Sequence, residues 1–329
     1  MNKRKLGRTN LYVSELCLST GKSSWINDEA TSFALLDAYR AEGGNFIQSV
    51  ALSQSSLAPQ PVNSQSEEVV GRWHQSRAIP RDSLVLATRV DLIRPAHGGS
   101  VSFANLIRES CENSLRRLQT KHIDLLVCEW DEQITPIEDV IDVFDRIIRA
   151  GLVRNIVAGG FPPWRVVDSL HRSSVRNRCR FEALQTEYSL ITRARFEAEA
   201  LAMCQEHRLG FIARSPLAGG FLAKRPISIR ESVNMDRNWL SERFGNRYGD
   251  AVLTTLTKIA EKFGASPAQI AVAWVLQNSQ VCSTVVSPTS VNDLQELIQS
   301  AGIKLGGDEI GALVDVTRDE NCLKELRHA

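Results

Sequence analysis

Neither sign of charge prevails in this sequence: 39 Lys and Arg stand against 38 Asp and Glu, a formal charge of +1. A chain without a net field has no global attraction for nucleic acid or an anionic membrane, and a small neutral or weakly charged partner suits it better. Also missing is any apolar run of the roughly 20 residues that a membrane span needs. The opening MNKRKLGRTN lacks the apolar core of a signal peptide, so the expected location is cytoplasmic. The seven cysteines are scattered, odd in number and never arranged as CxxC, which excludes a disulfide or zinc framework and reads as reduced thiols, most of them buried. No P-loop, HExxH pair or cluster of metal ligands occurs, so no metal is expected. The GGF at Gly219 is not a GxGxxG fingerprint. RSSVRNRCR, from Arg172, has four arginines but no interleaved aromatics, and reads as a solvated connection rather than an RNA site.

What the sequence does have is alternation. Short, continuously apolar runs recur: LVLAT from Leu84, IDLLVC from Ile123, NIVAG from Asn155 and GFIA from Gly210. Unbroken apolarity suits strands covered on both faces, as parallel strands are. Between them lie segments of helical period. In TPIEDVIDVFDRIIRAG, residues Ile137, Val140, Ile141, Phe144, Ile147 and Ile148 form one stripe, with Thr135 as expected N-cap, Pro136 at the first helical position, Glu138 closing a capping box and Gly151 ending the helix. SPAQIAVAWVLQN repeats the device, opening on Ser266, Pro267 and Gln269 and presenting Ile270, Val272, Ala273, Val275 and Leu276 as its apolar face.

Strand and helix alternate over the whole length without a linker or internal repeat. The expected architecture is therefore a single (β/α)8 TIM barrel over residues 1–329. Two polar stretches interrupt it, one from Ser53 and one from Ala223. Both are expected as long rim loops over the site.

KLGRTNLYVSEL at Lys5, SEEVVGRW at Ser66, SLRRLQTKHIDLL at Ser114, ALQTEYSL at Ala183 and SPLAGGFLAK at Ser215 together resemble the aldo-keto reductase superfamily over most of the chain. The resemblance implies a barrel with an N-terminal β-hairpin, NADPH bound at the C-terminal rim, and hydride transfer to aldehydes or ketones. It also implies a catalytic Asp, Tyr, Lys and His, whose positions fall here on Gln48, Ser53, Arg89 and Glu129. All four types differ. Hydride addition puts negative charge on the substrate oxygen, which needs a proton or a preorganised donor. Ser53 lacks the acidity of a phenol, Gln48 cannot hold a cation by charge, and an ionised Glu129 would repel an oxyanion. Arg89 stays charged, and its expected use is an ion pair with Glu129.

The positions that the resemblance assigns to the cofactor have moved as well. Gln185 is retained, and Ser215, Leu217 and Gly219 keep a strap able to contact a pyrophosphate. The Ser-Asn pair expected after the fifth strand aligns with Gly159 and Gly160, and the aromatic residue before Ser215 is Arg214. Val286, Ser287, Pro288 and Thr289 stand where the 2′-phosphate would be held, and Leu297 where an Asn would reach adenine. No cofactor is assigned from the residues; NADPH binds only if that site survives.

Candidates for other chemistry at the strand ends are Arg89, Glu129 and His97, with Arg94, Asp131 and Lys22 nearby and Trp25, Trp130 and Arg214 as pocket walls. Three readings follow. The first is an enzyme of small-molecule, specialised metabolism, with the rim reused for non-redox acid/base chemistry such as elimination, isomerisation or cyclisation. The second is a non-catalytic subunit binding a ligand or a protein partner, and the third an NADPH-dependent carbonyl reductase with an unconventional proton donor.

Overall fold

The computed structural model describes residues 1–21, 28–49, 65–91, 103–129, 136–223 and 243–318. Ser53, His97, Lys22, Arg94, Asp131, Trp25, Trp130 and most of the two polar stretches lie outside them.

The chain opens with an antiparallel hairpin, β1 (Lys3–Lys5) against β2 (Tyr12–Ser14). Eight parallel strands then close into a barrel: β3 (Leu16–Ser19), β4 (Phe46–Gln48), β5 (Val85–Asp91), β6 (Ile123–Glu129), β7 (Val153–Gly159), β8 (Phe181–Glu187), β9 (Gly210–Arg214) and β10 (Val281–Val286), which returns to pair with β3. The four apolar runs read from the sequence are β5, β6, β7 and β9. Helices α1 (Glu29–Ala41), α2 (Gln65–Ser76), α3 (Phe103–Arg117), α4 (Ile137–Arg149) and α5 (Pro163–Val175) fill successive crossovers. In α6, residues 193–206, a π-helical turn at Phe196–Ala200 interrupts the α-helix. Two helices, α7 (Arg247–Phe263) and α8 (Pro267–Gln277), precede β10, and α9 (Val291–Gln299) and α10 (Gly307–Val316) follow it.

Side-chain alternation along the strands divides the core in two. Leu18, Leu86, Leu126, Ile156 and Leu184 pack outward against the helices. Cys17, Phe46, Val85, Ala87, Leu125, Val127, Val157, Ala183 and Ile212 fill the interior. Leu6 and Val13 of the hairpin join this inner cluster, so the hairpin plugs the barrel floor. Only the C-terminal mouth is left for a site.

The helix starts behave less uniformly than their sequences. Ser266 and Gln269 form the expected capping box. Yet α8 is buried at every position from Ala268 to Leu276, not on one face, because it lies between α7, α9 and β10. Helix α4 starts at Ile137 with Pro136 as its cap and no side-chain capping bond; Thr135 lies outside the described residues, and Glu138 is drawn instead to Arg172 of α5. Gly151 ends α4 in a left-handed conformation (φ 75°), as expected. The arginine run also differs from a solvated connection. Arg172 is helical and bonds Asp168 at 2.7 Å, while Arg176 and Arg178 reach Asp142 at 2.7 and 2.9 Å, tying α5 to α4.

Among the described residues, no helix is long and apolar enough to cross a membrane. Cys17, Cys111, Cys128, Cys179, Cys204 and Cys282 are free thiols, and burial pushes Cys111, Cys179 and Cys204 up to about 12.

Candidate active site at the barrel mouth

The inward parity that buries Phe46, Ala87, Val127, Val157, Ala183 and Ile212 carries the next inward position of each strand to the mouth. Those positions are Gln48, Arg89, Glu129, Gly159, Gln185 and Arg214. The sequence had named all six.

Among the described residues, the side chains of Gln48 with Gln185 and of Glu129 with Arg214 bridge the mouth. Gln48 and Gln185, both buried, form a reciprocal amide pair: Gln185 Nε2 donates to Gln48 Oε1 at 2.8 Å, and Gln48 Nε2 donates to Gln185 Oε1 at 3.3 Å. Glu129 Oε1 accepts from Arg214 Nη1 at 2.7 Å, linking β6 to β9 over the two strands between them. This corrects the sequence reading, which gave Glu129 to Arg89. The stagger between strands explains the difference: on β5 and β6, Arg89 is level with Val127, two residues below Glu129, and Asp91 is the residue level with Glu129.

Glycine makes the second bridge possible. Glu129 is level with Gly159, and a Cβ built at Gly159 would lie 2.6 Å from Glu129 Oε2. A side chain at 159 and this carboxylate cannot both occupy that space. At Gly160, with φ 66°, a Cβ would approach Oε1 at 3.6 Å. Oε2 is shielded from solvent and has no hydrogen-bond partner among the described residues. Leaving a carboxylate oxygen in that state is costly, so it is an atom at the mouth that a hydrogen-bond donor would satisfy.

Beyond the mouth, Glu187 at the end of β8 pairs with Arg243 at 3.0 Å, a pair the sequence reading missed. Inward alternation from Ala183 and Gln185 would have flagged Glu187, although its partner is remote in sequence. The strap after β9 is sharply turned: Ser215, Ala218, Gly219 and Gly220 all have positive φ, and Leu217 O accepts from Gly220 N and Leu222 N. Backbone of this kind is held only where its surroundings impose it. At the start of α9, Thr289 Oγ1 donates to Asp293 Oδ2 at 2.6 Å, and Leu297 is buried against Leu16, Val272 and Val286.

Comparison with known proteins agrees with this architecture. Residues 17–318 match the model of the aldo/keto reductase family. The chain belongs to that family. It is 30% identical to "Uncharacterized oxidoreductase YrpG" of Bacillus subtilis, over 94% of each chain. It is also 30% identical to "Norsolorinic acid reductase stcV" of Emericella nidulans, over 93% of this chain and 78% of that one. A third relative, 26% identical over 92% of each chain, is "Probable voltage-gated potassium channel subunit beta" of Oryza sativa. Proteins named as an oxidoreductase and a reductase are thus similar to this chain over most of its length. Against that family background, the two bridges, Gly159 and Arg214 are the features of the mouth that call for a chemical explanation.

Proposed function

We propose that this member of the aldo/keto reductase family is an enzyme of small-molecule metabolism whose barrel mouth performs proton transfer on a carbonyl or hydroxyl compound without net oxidation or reduction. The observation that carries the reading is the placement of Glu129: its carboxylate fills the space that a side chain at 159 would need and is held there by Arg214. The amide of Gln185, which the family resemblance assigns to the nicotinamide, is bonded to Gln48 in both directions. On these grounds the residues do not fit NADPH in the geometry of a reductase.

The chemistry available is that of a positioned carboxylate. Arg214 orients Glu129 through Oε1, which leaves Oε2 to accept a proton from carbon next to a carbonyl and return it elsewhere on the same molecule. The guanidinium of Arg214 stands beside the charge that develops on the carbonyl oxygen. About a fifth of the Glu129 side chain is exposed while Oε2 itself is shielded, so the carboxylate has to turn about its side-chain bonds for Oε2 to meet a substrate in the mouth. Isomerisation and elimination are the reaction types this supports.

A panel of aldehydes and ketones incubated with the protein in heavy water, without any nicotinamide, tests the reading. Deuterium incorporation next to the carbonyl of at least one compound is expected, with Glu129→Gln lowering it about 100-fold or more. Exchange that survives Glu129→Gln unchanged, or no exchange at all, contradicts it.

A second reading is a ligand- or partner-binding subunit without catalysis. The closed pairing of Gln48 with Gln185 favours it, as does the subunit named in the rice relative. It is distinguished by a cellular role that tolerates Glu129→Gln.

A further inference from the structure

Helix α5 is unusual in being apolar on both sides. Val166, Ser169, Leu170 and Ser173 face the core, as a crossover helix requires. The opposite face carries Trp164, Val167, His171 and Val175, spaced 3, 4 and 4 residues apart and therefore on one stripe. Trp164 is 64% and Val175 72% exposed. Scattered exposed apolar residues need no explanation, but a stripe along a whole helix does.

At the C-terminal end of this stripe lies a surface cavity of about 330 Å³, lined by Glu138, Asp168, His171, Arg172, Val175 and Arg176. The helix thus has a projecting indole at one end and a recess at the other, 11 residues apart, which is about 16 Å at 1.5 Å per residue. A knob and a recess on one straight element are self-complementary under a two-fold axis: with two α5 helices antiparallel, each Trp164 meets the other's Val175. The same operation brings Asp168 of one copy opposite His171 of the other.

The charges nearby point to the same occupant. Arg172 is paired with Asp168 and Glu138, and Arg176 with Asp142. Arg165 also pairs with Asp168, and Arg178 shares Asp142, so four arginines meet three carboxylates; most of the charge is answered within the molecule, and the flank has no strong field to recruit a nucleic acid, an anionic membrane or an acidic peptide. It leaves guanidinium faces able to receive an indole, as Arg165 already stacks over Trp164 at 5.5 Å. Tryptophan and arginine are the residues that most often anchor interfaces.

We propose that α5 is a homodimer interface, a second copy of this chain docking antiparallel so that Trp164 of each enters the Val175 recess of the other. One helix face covers less than the roughly 800 Å² per partner of a standard interface, so the dimer is of modest affinity and includes the neighbouring edge of α4.

Sedimentation velocity on the full chain from about 1 to 100 μM tests this, that range bracketing a micromolar Kd. A monomer–dimer equilibrium is expected, weakened at least about tenfold by Trp164→Ala and by Val175→Arg, both at exposed positions where folding is not at risk. Mixing the two variants keeps one intact contact, Trp164 of the Val175→Arg chain in the recess of the Trp164→Ala chain. The mixture is therefore expected to associate more strongly than either variant alone. A wild-type chain that stays monomeric, association indifferent to Trp164→Ala, assembly beyond a dimer, or a mixture no stronger than its parts each overturns the proposal.

Discussion

Gln48 and Gln185 close on each other across the full width of the barrel, from the ends of the second and sixth of eight strands, each amide both donating and accepting. Two buried amides that satisfy one another are worth little more than their removal together, but either one left alone is costly. Gln48→Leu is expected to lower stability by about 1–3 kcal/mol in urea unfolding, whereas Gln48→Leu with Gln185→Leu recovers most of that loss. Additive losses would mean that the pair is not coupled in solution.

Gly159 and Glu129 should depend on each other in the same way. A new Cβ would meet Glu129 Oε2 at 2.6 Å, the end of a flexible side chain, and also buried Val127 Cγ1 at 3.0 Å and the Cys128 backbone oxygen at 3.2 Å, so Gly159→Ala displaces the carboxylate and crowds the barrel wall. The expected outcome is a stability loss of about 1–3 kcal/mol together with loss of whatever activity Glu129 supports. Thermal melting and the exchange assay read the two effects separately.

A buried ion pair braces the barrel wall. Glu67 on α2 is fully buried, accepts from Thr88 at 2.5 Å and pairs with Arg117 of α3 at 2.7 Å. Removing one partner strands the other charge, so Arg117→Met is expected to cost about 3 kcal/mol or more. Glu67→Met combined with Arg117→Met should cost less than Arg117→Met alone, as judged by urea unfolding.

Acid stability has a contributor at Asp37. Hydrogen bonds from Arg77 chiefly, with a further one from Trp73, hold its carboxyl below the usual aspartate value. A carboxylate lowered on folding adds stability that is fully present above the unfolded pKa and lost as pH falls through the folded one. Melting temperature measured from neutral pH down to about 3, spanning the unfolded aspartate pKa near 3.9, should fall less steeply for Asp37→Asn than for the native chain. Equal slopes would remove Asp37 from that role.

Much of this molecule is legible in its sequence. The runs at Leu84, Ile123, Asn155 and Gly210 are strands, Ser266 and Gln269 cap a helix as written, and the family resemblance supplied the hairpin and barrel that the structure contains. The mouth residues were also legible, because alternation fixes which side chains point inward. Their partners were not. Gln48 and Gln185 are 137 residues apart on opposite strands, and nothing local links them. The choice of Arg214 over Arg89 for Glu129 rests on the stagger between β5 and β6, which no single strand encodes. Helix α8 misled for a related reason: its burial all round comes from neighbours on every side, not from its own pattern.

The sharpest test is calorimetric titration of the protein with NADPH, followed by turnover assays with aldehydes and ketones. With the Gln48–Gln185 and Glu129–Arg214 bridges filling the mouth, no saturable binding at or below about 10 μM and no oxidation of the reduced nicotinamide are expected. Micromolar binding accompanied by reduction of any carbonyl compound would contradict that expectation and return this chain to the reductases.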